Sequence, residues 1–243
     1  MKTGNSIFIN IDSSRCASLL EGGAFVGREK FYDIWRYDSL KFESGNIYAL
    51  VGEYGQGCMY LSYLLGGKVD FGDLKIYING SEIRKPDLEL ISWNLEPCEE
   101  KRYGNMVVIK SIEKALERNG SKESFSDIQD KFLLTQERFG RKFKCLSGER
   151  WRASAALGCA EERRIFYAPY KTSNFYYQMC QSGLLKALRE LTDAGAIVLL
   201  PVGSDEFVKY IADKCLYIKP CSYNIDNLKQ RYKELFNRDD WIK

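Results

Sequence analysis

Apolar residues occur along the chain in compact runs that alternate with segments of helical periodicity. The run at 46–51 predicts a buried strand, and it leads through a glycine-rich segment into Cys58–Leu65. That stretch lacks Gly and Pro, so it predicts a buried helix that ends at Gly66-Gly67. Further along the chain, runs at 165–167, 196–200 and 215–218 predict strands, and segments at 152–160, 184–194 and 207–213 predict helices. This alternation predicts a parallel sheet with helices on both faces.

Two regions depart from the alternation. Residues 7–12 and 74–78 alternate apolar and polar positions with period two, and Asn79-Gly80 predicts a hairpin turn after the second run. An antiparallel β region is therefore expected beside the parallel core. Between residues 106 and 139, apolar side chains recur at helical spacing with a break at Asn119-Gly120, which predicts a helical insert.

Composition narrows the range of functions. The 243 residues include 36 Lys+Arg against 33 Asp+Glu, and a net charge of +3 is too small to indicate nucleic-acid binding. The chain has no histidine, which excludes Ser-His-Asp and Cys-His catalysis and His-ligated zinc within the chain itself. Its eight cysteines form no CxxC motif. No signal sequence and no apolar stretch of membrane-spanning length is present, so we expect a cytoplasmic protein with reduced thiols.

The glycine-rich segment after the first buried strand is a candidate phosphate site. It follows the phosphate-binding pattern G-x-x-x-x-G-K-[ST] at both glycines, but a cysteine and a methionine stand at the last two positions. A plain glycine turn between a strand and a helix is the alternative, and this segment alone does not decide between the two. The candidate cofactor-binding residues are Gly52, Glu53, Tyr54, Gly55, Gln56, Gly57, Cys58 and Met59.

Four segments in sequence order resemble the nucleotide-binding subunit of ATP-binding-cassette (ABC) transporters, over about residues 30–220. Residues 46–57 look like that family's Walker A strand and loop, and Leu146–Arg152 looks like its signature segment with one glycine lost. Ile165–Pro169 occupies the place of the Walker B strand, and Ile197–Gly203 resembles the switch-histidine strand. The resemblance implies one P-loop NTPase domain of the ABC ATPase type over residues 1–243. Such an α/β fold has a mixed sheet core, an antiparallel β subdomain and a helical subdomain, here at about 98–160.

The chemical positions of this family are almost all replaced. Cys58 cannot supply the lysine ammonium, and Met59 cannot coordinate Mg²⁺. The other replaced positions are Glu96 near the usual glutamine, Tyr167 for the Walker B aspartate, Ala168 for the catalytic glutamate, Asn174 for the D-loop aspartate and Gly203 for the switch histidine. The resemblance therefore implies no catalytic residue, no metal at the chain's own site and only weak ATP binding. It also places Tyr32 or Trp35 near the aromatic that stacks on adenine.

The signature segment comprises Leu146, Ser147, Gly148 and Glu149, and two alignments of it remain open. In one, Glu149 takes the place of the second glycine and would repel a phosphate; in the other, a residue is missing and Glu149 is harmless. Subunits of the family face one another in pairs, so the implied partners are a second ABC ATPase subunit, identical or different, and a transmembrane permease. Nucleic acid is not an expected partner.

Two hypotheses follow. The leading one is a degenerate, non-hydrolysing subunit of a peptide or small-molecule exporter, which pairs with an active ATPase subunit and lies on the cytoplasmic face of the membrane. The alternative is a homodimeric interaction or regulatory module of the same fold that no longer binds nucleotide.

Overall fold

The computed structural model describes residues 6–12, 18–26, 29–35, 40–54, 57–69, 71, 74–96 and 105–218. For residues 12, 18–26, 29–35, 136 and 139 it describes the backbone alone. The strands are β1 (Phe8–Asp12), β2 (Ser18–Val26), β3 (Glu29–Trp35), β4 (Leu40–Glu43), β5 (Asn46–Val51), β6 (Lys75–Ile78), β7 (Ser81–Ile83), β8 (Ser92–Asn94), β9 (Ile165–Tyr167), β10 (Ile197–Val202) and β11 (Lys214–Tyr217). The α-helices are α1 (Cys58–Leu65), α2 (Lys85–Ile91), α3 (Val108–Arg118), α4 (Phe125–Lys131), α5 (Gln136–Phe139), α6 (Arg150–Ala160), α7 (Ser173–Gln181) and α8 (Leu184–Asp193).

A parallel sheet with the strand order β8-β9-β10-β5-β11 forms the core. Strand β10 lies at its centre, where Ile197–Val202 pairs with Asn46–Val51 on one side and with the shorter β9 on the other. Every residue of β10 is buried. Continuous apolar runs are typical of strands that are covered on both faces, which explains the composition of β5 and β10.

Antiparallel pairs lie in other sheets. Strands β4, β1, β6 and β7 form a sheet in that order, and Asn79-Gly80 connects β6 to β7 with both residues at positive φ. This turn is the hairpin that the Asn-Gly pair predicts. Strands β2 and β3 pair with each other as a separate two-stranded sheet.

The two faces of the core sheet belong to two apolar clusters. Tyr48 and Leu50 of β5 share one cluster with helix α1 and the antiparallel sheet, whereas Ile47 and Ala49 share the other with helices α3, α4, α6, α7 and α8. Alternate residues of a strand point to opposite faces, so one short strand contributes to both clusters. In the described part of the chain, no helix combines the length and the apolar character needed to cross a membrane.

Helix α1 is buried on all sides and is tied to the neighbouring elements by hydrogen bonds. The Ser62 hydroxyl donates to the Ala168 carbonyl at 2.7 Å, at the carboxyl end of β9. The Ser92 hydroxyl of β8 donates to the Leu65 carbonyl at 2.8 Å, at the last turn of α1. These bonds satisfy two polar side chains that would otherwise be unpaired in an apolar interior.

The prediction of a helix at 207–213 is wrong. The segment contains only a 3-10 helix at Val208–Tyr210, because its ends have tertiary partners. The Ser173 hydroxyl accepts hydrogen bonds from the backbone N–H groups of Phe207 and Val208, at 2.9 Å each. At the other end, the Asp213 carboxylate accepts from the Ile47 N–H at 2.8 Å and so turns the chain into β11.

Ser62→Ala should lower the free energy of unfolding by about 1–3 kcal/mol, because it leaves the buried Ala168 carbonyl without its hydrogen bond. Urea denaturation followed by circular dichroism measures this change. Ser81→Ala on the exposed strand β7 is the matched control and should change stability by less than about 0.5 kcal/mol. Equal effects of the two substitutions would contradict the role assigned to Ser62.

Candidate functional site

The glycine loop leaves the carboxyl end of β5 and enters α1. The Gly52 N–H donates to the Val202 carbonyl at 2.9 Å, which ties the start of the loop to β10. Gly57 precedes α1 in the left-handed region, with φ of 102°. Cys58 follows it and is fully buried, and its thiol donates to the Gly52 carbonyl at 3.3 Å. The side chain at the position of the Walker lysine therefore contacts the loop backbone itself. Gly55 and Gln56 lie outside the described residues.

The residues at this loop do not fit a magnesium ion. Met59 is only 1% exposed and lies in the apolar cluster around α1, so it presents no oxygen to a metal. Tyr167, at the Walker B position, lies in the same cluster. Mg²⁺ requires oxygen ligands in an octahedral arrangement. Among the described residues, no group of three or more His, Cys, Asp or Glu side chains is placed to hold a metal ion.

Tyr167 packs against α1. Its ring lies 5.7 Å from the Tyr63 ring in an edge-to-face arrangement, and a Cβ atom added to Gly66 would lie 2.7 Å from it. Glycine is therefore required at position 66 by the close approach of this ring. The next residue, Ala168, is fully buried. The two residues predicted to stand at carboxylate positions of the resembled family are thus part of the packed core.

A second tyrosine lies beside Gly203. A Cβ atom added to Gly203 would lie 2.5 Å from the Tyr170 hydroxyl oxygen, so the tyrosine occupies the space into which a histidine at 203 would extend. The Tyr170 ring also meets the Tyr54 ring of the glycine loop at 5.5 Å, edge to face. An aromatic pair therefore links the glycine loop to the segment after β9, and Tyr54 is 54% exposed.

Glu96 follows β8 and forms an ionic cluster. Lys171 Nζ lies 2.9 Å from one carboxylate oxygen, and Arg150 Nη2 lies 3.9 Å from the other. Lys171 comes directly after Tyr170, and Arg150 is the first residue of α6. The cluster therefore connects the ends of β8 and β9 to the helix that follows the signature segment.

The signature segment has its own internal partners. Glu149 is the residue before α6, and its carboxylate accepts hydrogen bonds from the Thr135 hydroxyl and from Arg152 Nη2. Arg138 Nη1 donates to the Ser147 hydroxyl at 3.2 Å and lies 3.6 Å from Glu149. The Glu149 side chain is only 15% exposed, so its charge is matched within the chain by two arginines. Leu146 is buried, whereas Ser147 and Gly148 are exposed.

Helix α7 follows the segment after β9. Its first turn carries Asn174, which is exposed, and its second carries the fully buried Tyr176. The Tyr176 hydroxyl donates to the Pro169 carbonyl at 2.9 Å. Burial raises the pKa of Tyr176 well above its usual value, so the hydroxyl keeps its proton and remains a donor.

Sequence reasoning missed the residues that surround the predicted positions. Tyr170 and Lys171 directly follow Pro169, but nothing in their local pattern indicates Gly203 or Glu96 as their partners. Arg138 and Arg152 are likewise two cations among many in the sequence. The side chains of Tyr32 and Trp35, expected near adenine, lie outside the described residues.

Solved structures of similar fold are ATP-binding proteins of ABC transporters. CbiO1 from Clostridium perfringens, part of the ABC transporter complex CbiONQ, is 12% identical with a TM-score of 0.59 over 96% of each chain. The ADP conformation of MJ1267, an ATP-binding cassette of an ABC transporter, is 13% identical with a TM-score of 0.58 over 88% of each chain. A Pyrococcus furiosus protein described as an ABC transporter ATP-binding protein is 14% identical with a TM-score of 0.59, over 87% of this chain and 97% of that one.

The chain therefore has the P-loop NTPase fold of ABC ATPases, as the sequence predicts. No protein-family model and no curated protein matches the sequence.

Tyr167→Asp should lower the free energy of unfolding at pH 7 by about 3–5 kcal/mol, since it leaves a cavity and an unpaired buried carboxylate. Burial raises the pKa of the introduced carboxyl above about 3.9, so the folded state gains a proton at a higher pH than the unfolded state does. The loss of stability should therefore shrink as pH falls from 7 toward 4.

Urea denaturation across this pH range measures the trend. Tyr167→Asn leaves the same cavity without a titrating group and is the control. The same pH dependence for both variants would show that the carboxyl is hydrated rather than buried.

Gly203→Ala should cost about 1–3 kcal/mol of stability, because the new methyl group overlaps the Tyr170 hydroxyl. In a Tyr170→Phe background, the nearest remaining ring atom is 3.6 Å away, so the same substitution should cost less than about 0.5 kcal/mol. A double-mutant cycle by thermal or urea denaturation measures this coupling. Additive effects would mean that Tyr170 does not occupy that space.

Proposed function

We propose that the chain is a non-hydrolysing ATP-binding-cassette subunit of a membrane transporter and that it pairs with an active ATPase subunit. The observation that carries the proposal is the packing of the Tyr167 ring against Gly66 and Tyr63. The sequence predicts that Tyr167 stands at the position of the metal-holding carboxylate. Ala168 offers no group to take a proton from an attacking water. With no lysine at position 58, the developing charge of phosphoryl transfer has no cation at that position.

Weak, metal-independent nucleotide binding is part of this proposal. The loop retains a left-handed Gly57 immediately before α1, and a helix N-terminus attracts phosphate through its backbone N–H groups. One charge-assisted hydrogen bond is worth about 1.5–3 kcal/mol, so the absence of lysine and of metal ligands weakens binding by several factors of ten.

The signature segment supports pairing with a second cassette. Ser147 and Gly148 are exposed just before α6, and among the described residues no atom other than those of the adjoining residues lies within 4 Å of a Cβ added to Gly148. Arg138 and Arg152 lie 3.6 and 3.0 Å from the Glu149 carboxylate, so its charge is compensated beside this turn. A γ-phosphate held by the partner subunit could approach the turn without meeting an uncompensated carboxylate.

A membrane permease completes the proposed assembly. The similar CbiO1 structure is part of an ABC transporter complex. We infer a peripheral position on the cytoplasmic face of the membrane, with residues 1–243 as one ABC ATPase-like domain and a helical subdomain at about 98–160. Export of a peptide or small molecule is the proposed transport activity.

A regulatory module that no longer binds nucleotide is the second candidate. The specific observation in its favour is the Cys58 thiol, which is buried and bonded to the Gly52 carbonyl within the loop. This contact places a side chain against the loop backbone, where a phosphate would need room.

The purified chain should hydrolyse Mg-ATP no faster than buffer alone does. It should bind ATP weakly, and with the same affinity in Mg²⁺ and in EDTA. A phosphate-release assay and calorimetric titration measure the two properties. Gly57→Asp should weaken binding at least about tenfold, because a carboxylate in the loop repels phosphate.

Gly80→Asp is the matched control, since Gly80 also has a positive φ but lies in the exposed β6–β7 turn. Turnover abolished by Gly57→Asp and unaffected by Gly80→Asp would refute a non-hydrolysing subunit. No binding at millimolar ATP would instead favour the regulatory module. Co-purification of an intact cassette and a membrane subunit tests the proposed assembly.

A further inference from the structure

A cleft of about 600 Å³ opens between the helical segment and the core sheet, away from the glycine loop. Arg164 and Ala196 line it, and they directly precede the first residues of β9 and β10. The cleft is therefore at the amino ends of the parallel strands, whereas the glycine loop follows the carboxyl end of β5. The six residues of β10 separate the two edges by about 20 Å.

The floor of the cleft is apolar. Leu116, Phe166 and Leu191 contribute buried side chains from α3, β9 and α8. Cys159 of α6 lies beside them, and burial raises the pKa of its thiol to about 12. The thiol is therefore neutral at physiological pH, and the floor carries no charge. Such a surface suits the hydrocarbon or aromatic body of a small molecule.

The wall and mouth of the cleft carry more positive than negative groups. The charged lining residues are Lys122, Arg163, Arg164, Glu123 and Glu162. Glu123 accepts a hydrogen bond from Lys131, which lies outside the lining, so its charge is already matched. Arg163 Nη1 donates to the Leu90 carbonyl, and Arg163 Nη2 lies 3.8 Å from Glu161. The Arg163 Nε atom is buried and has no hydrogen-bond acceptor among the described residues. A buried donor of this kind is costly unless something accepts from it.

We propose that this cleft binds a small amphipathic anion, with its carboxylate at the cationic mouth and its apolar body on the floor. The volume lies within the range of about 300–1,000 Å³ that is typical of small-molecule sites. The lining comes from α3, α6, α8 and β9, so a bound molecule holds the helical segment against the sheet. Helix α6 begins directly after the signature segment and ends at the cleft. A ligand in the cleft therefore contacts the helix that follows the signature segment. The site does not depend on nucleotide binding at the glycine loop.

Decanoate is the probe, with decanol and decyltrimethylammonium as the uncharged and cationic probes of equal chain length. Calorimetry on the full chain should show saturable decanoate binding, at least about tenfold weaker binding of decanol and none of the cation. Lys122→Glu should weaken decanoate binding about tenfold, because it reverses a charge at the mouth. Lys110→Glu reverses an exposed charge on α3, outside the lining, and should have no effect.

Ser121→Trp provides a steric test, since it places a ring at the mouth of the cleft and should abolish binding. Thermal denaturation confirms that each variant folds. The proposal is overturned by the absence of saturable decanoate binding, by equal binding of decanol, or by decanoate binding that Ser121→Trp and Lys122→Glu leave unchanged. ATP titration of the same variants separates this result from the nucleotide proposal, because neither substitution touches the glycine loop.

Discussion

Helix α1 is buried along its whole length, and this burial constrains most of the candidate site. A helix without a solvent face must satisfy each polar side chain internally, which Ser62 does through the Ala168 carbonyl. It must also fit the neighbouring sheet closely, which Gly66 permits by leaving room for the Tyr167 ring. The position of α1 thereby fixes the end of the glycine loop and the carboxyl end of β9 together. A residue that served catalysis at either place would have to fit the same packing.

Two glycine–tyrosine contacts determine the packing around the candidate site. Tyr167 approaches Gly66, and the Tyr170 hydroxyl approaches Gly203. In each contact, glycine leaves room for a tyrosine side chain. The first tyrosine stands at the predicted position of a catalytic group, and the second lies beside one. The aromatic rings supply apolar contact that stabilises these positions. The charged groups that remain near the site, such as Glu96 and Lys171, pair with one another.

The local pattern of the sequence was sufficient for the central elements. Apolar runs bounded by glycine predicted β5 and α1, and period-two alternation followed by Asn79-Gly80 predicted the β6–β7 hairpin, because these signals depend on neighbouring residues alone. The prediction of a helix at 207–213 was wrong for the opposite reason. Its apolar spacing favours a helix, but the Ser173 hydroxyl and the Asp213 carboxylate, which define its ends, act through contacts with distant segments. Helix α7 and strand β4 also lacked a local signal strong enough to predict them.

The sequence by itself therefore determined the order of the central strands and helices. It also predicted that cysteine, methionine, tyrosine and alanine stand where an ATPase of this fold carries its lysine, its metal ligands and its catalytic base. Only the tertiary structure decided where those side chains point and what they contact. Ser62 and Ala168 are 106 positions apart, and the Thr135 hydroxyl reaches Glu149 from a segment 14 positions earlier. Such contacts depend on how helices and sheets pack together, and no periodicity within a single segment records that packing.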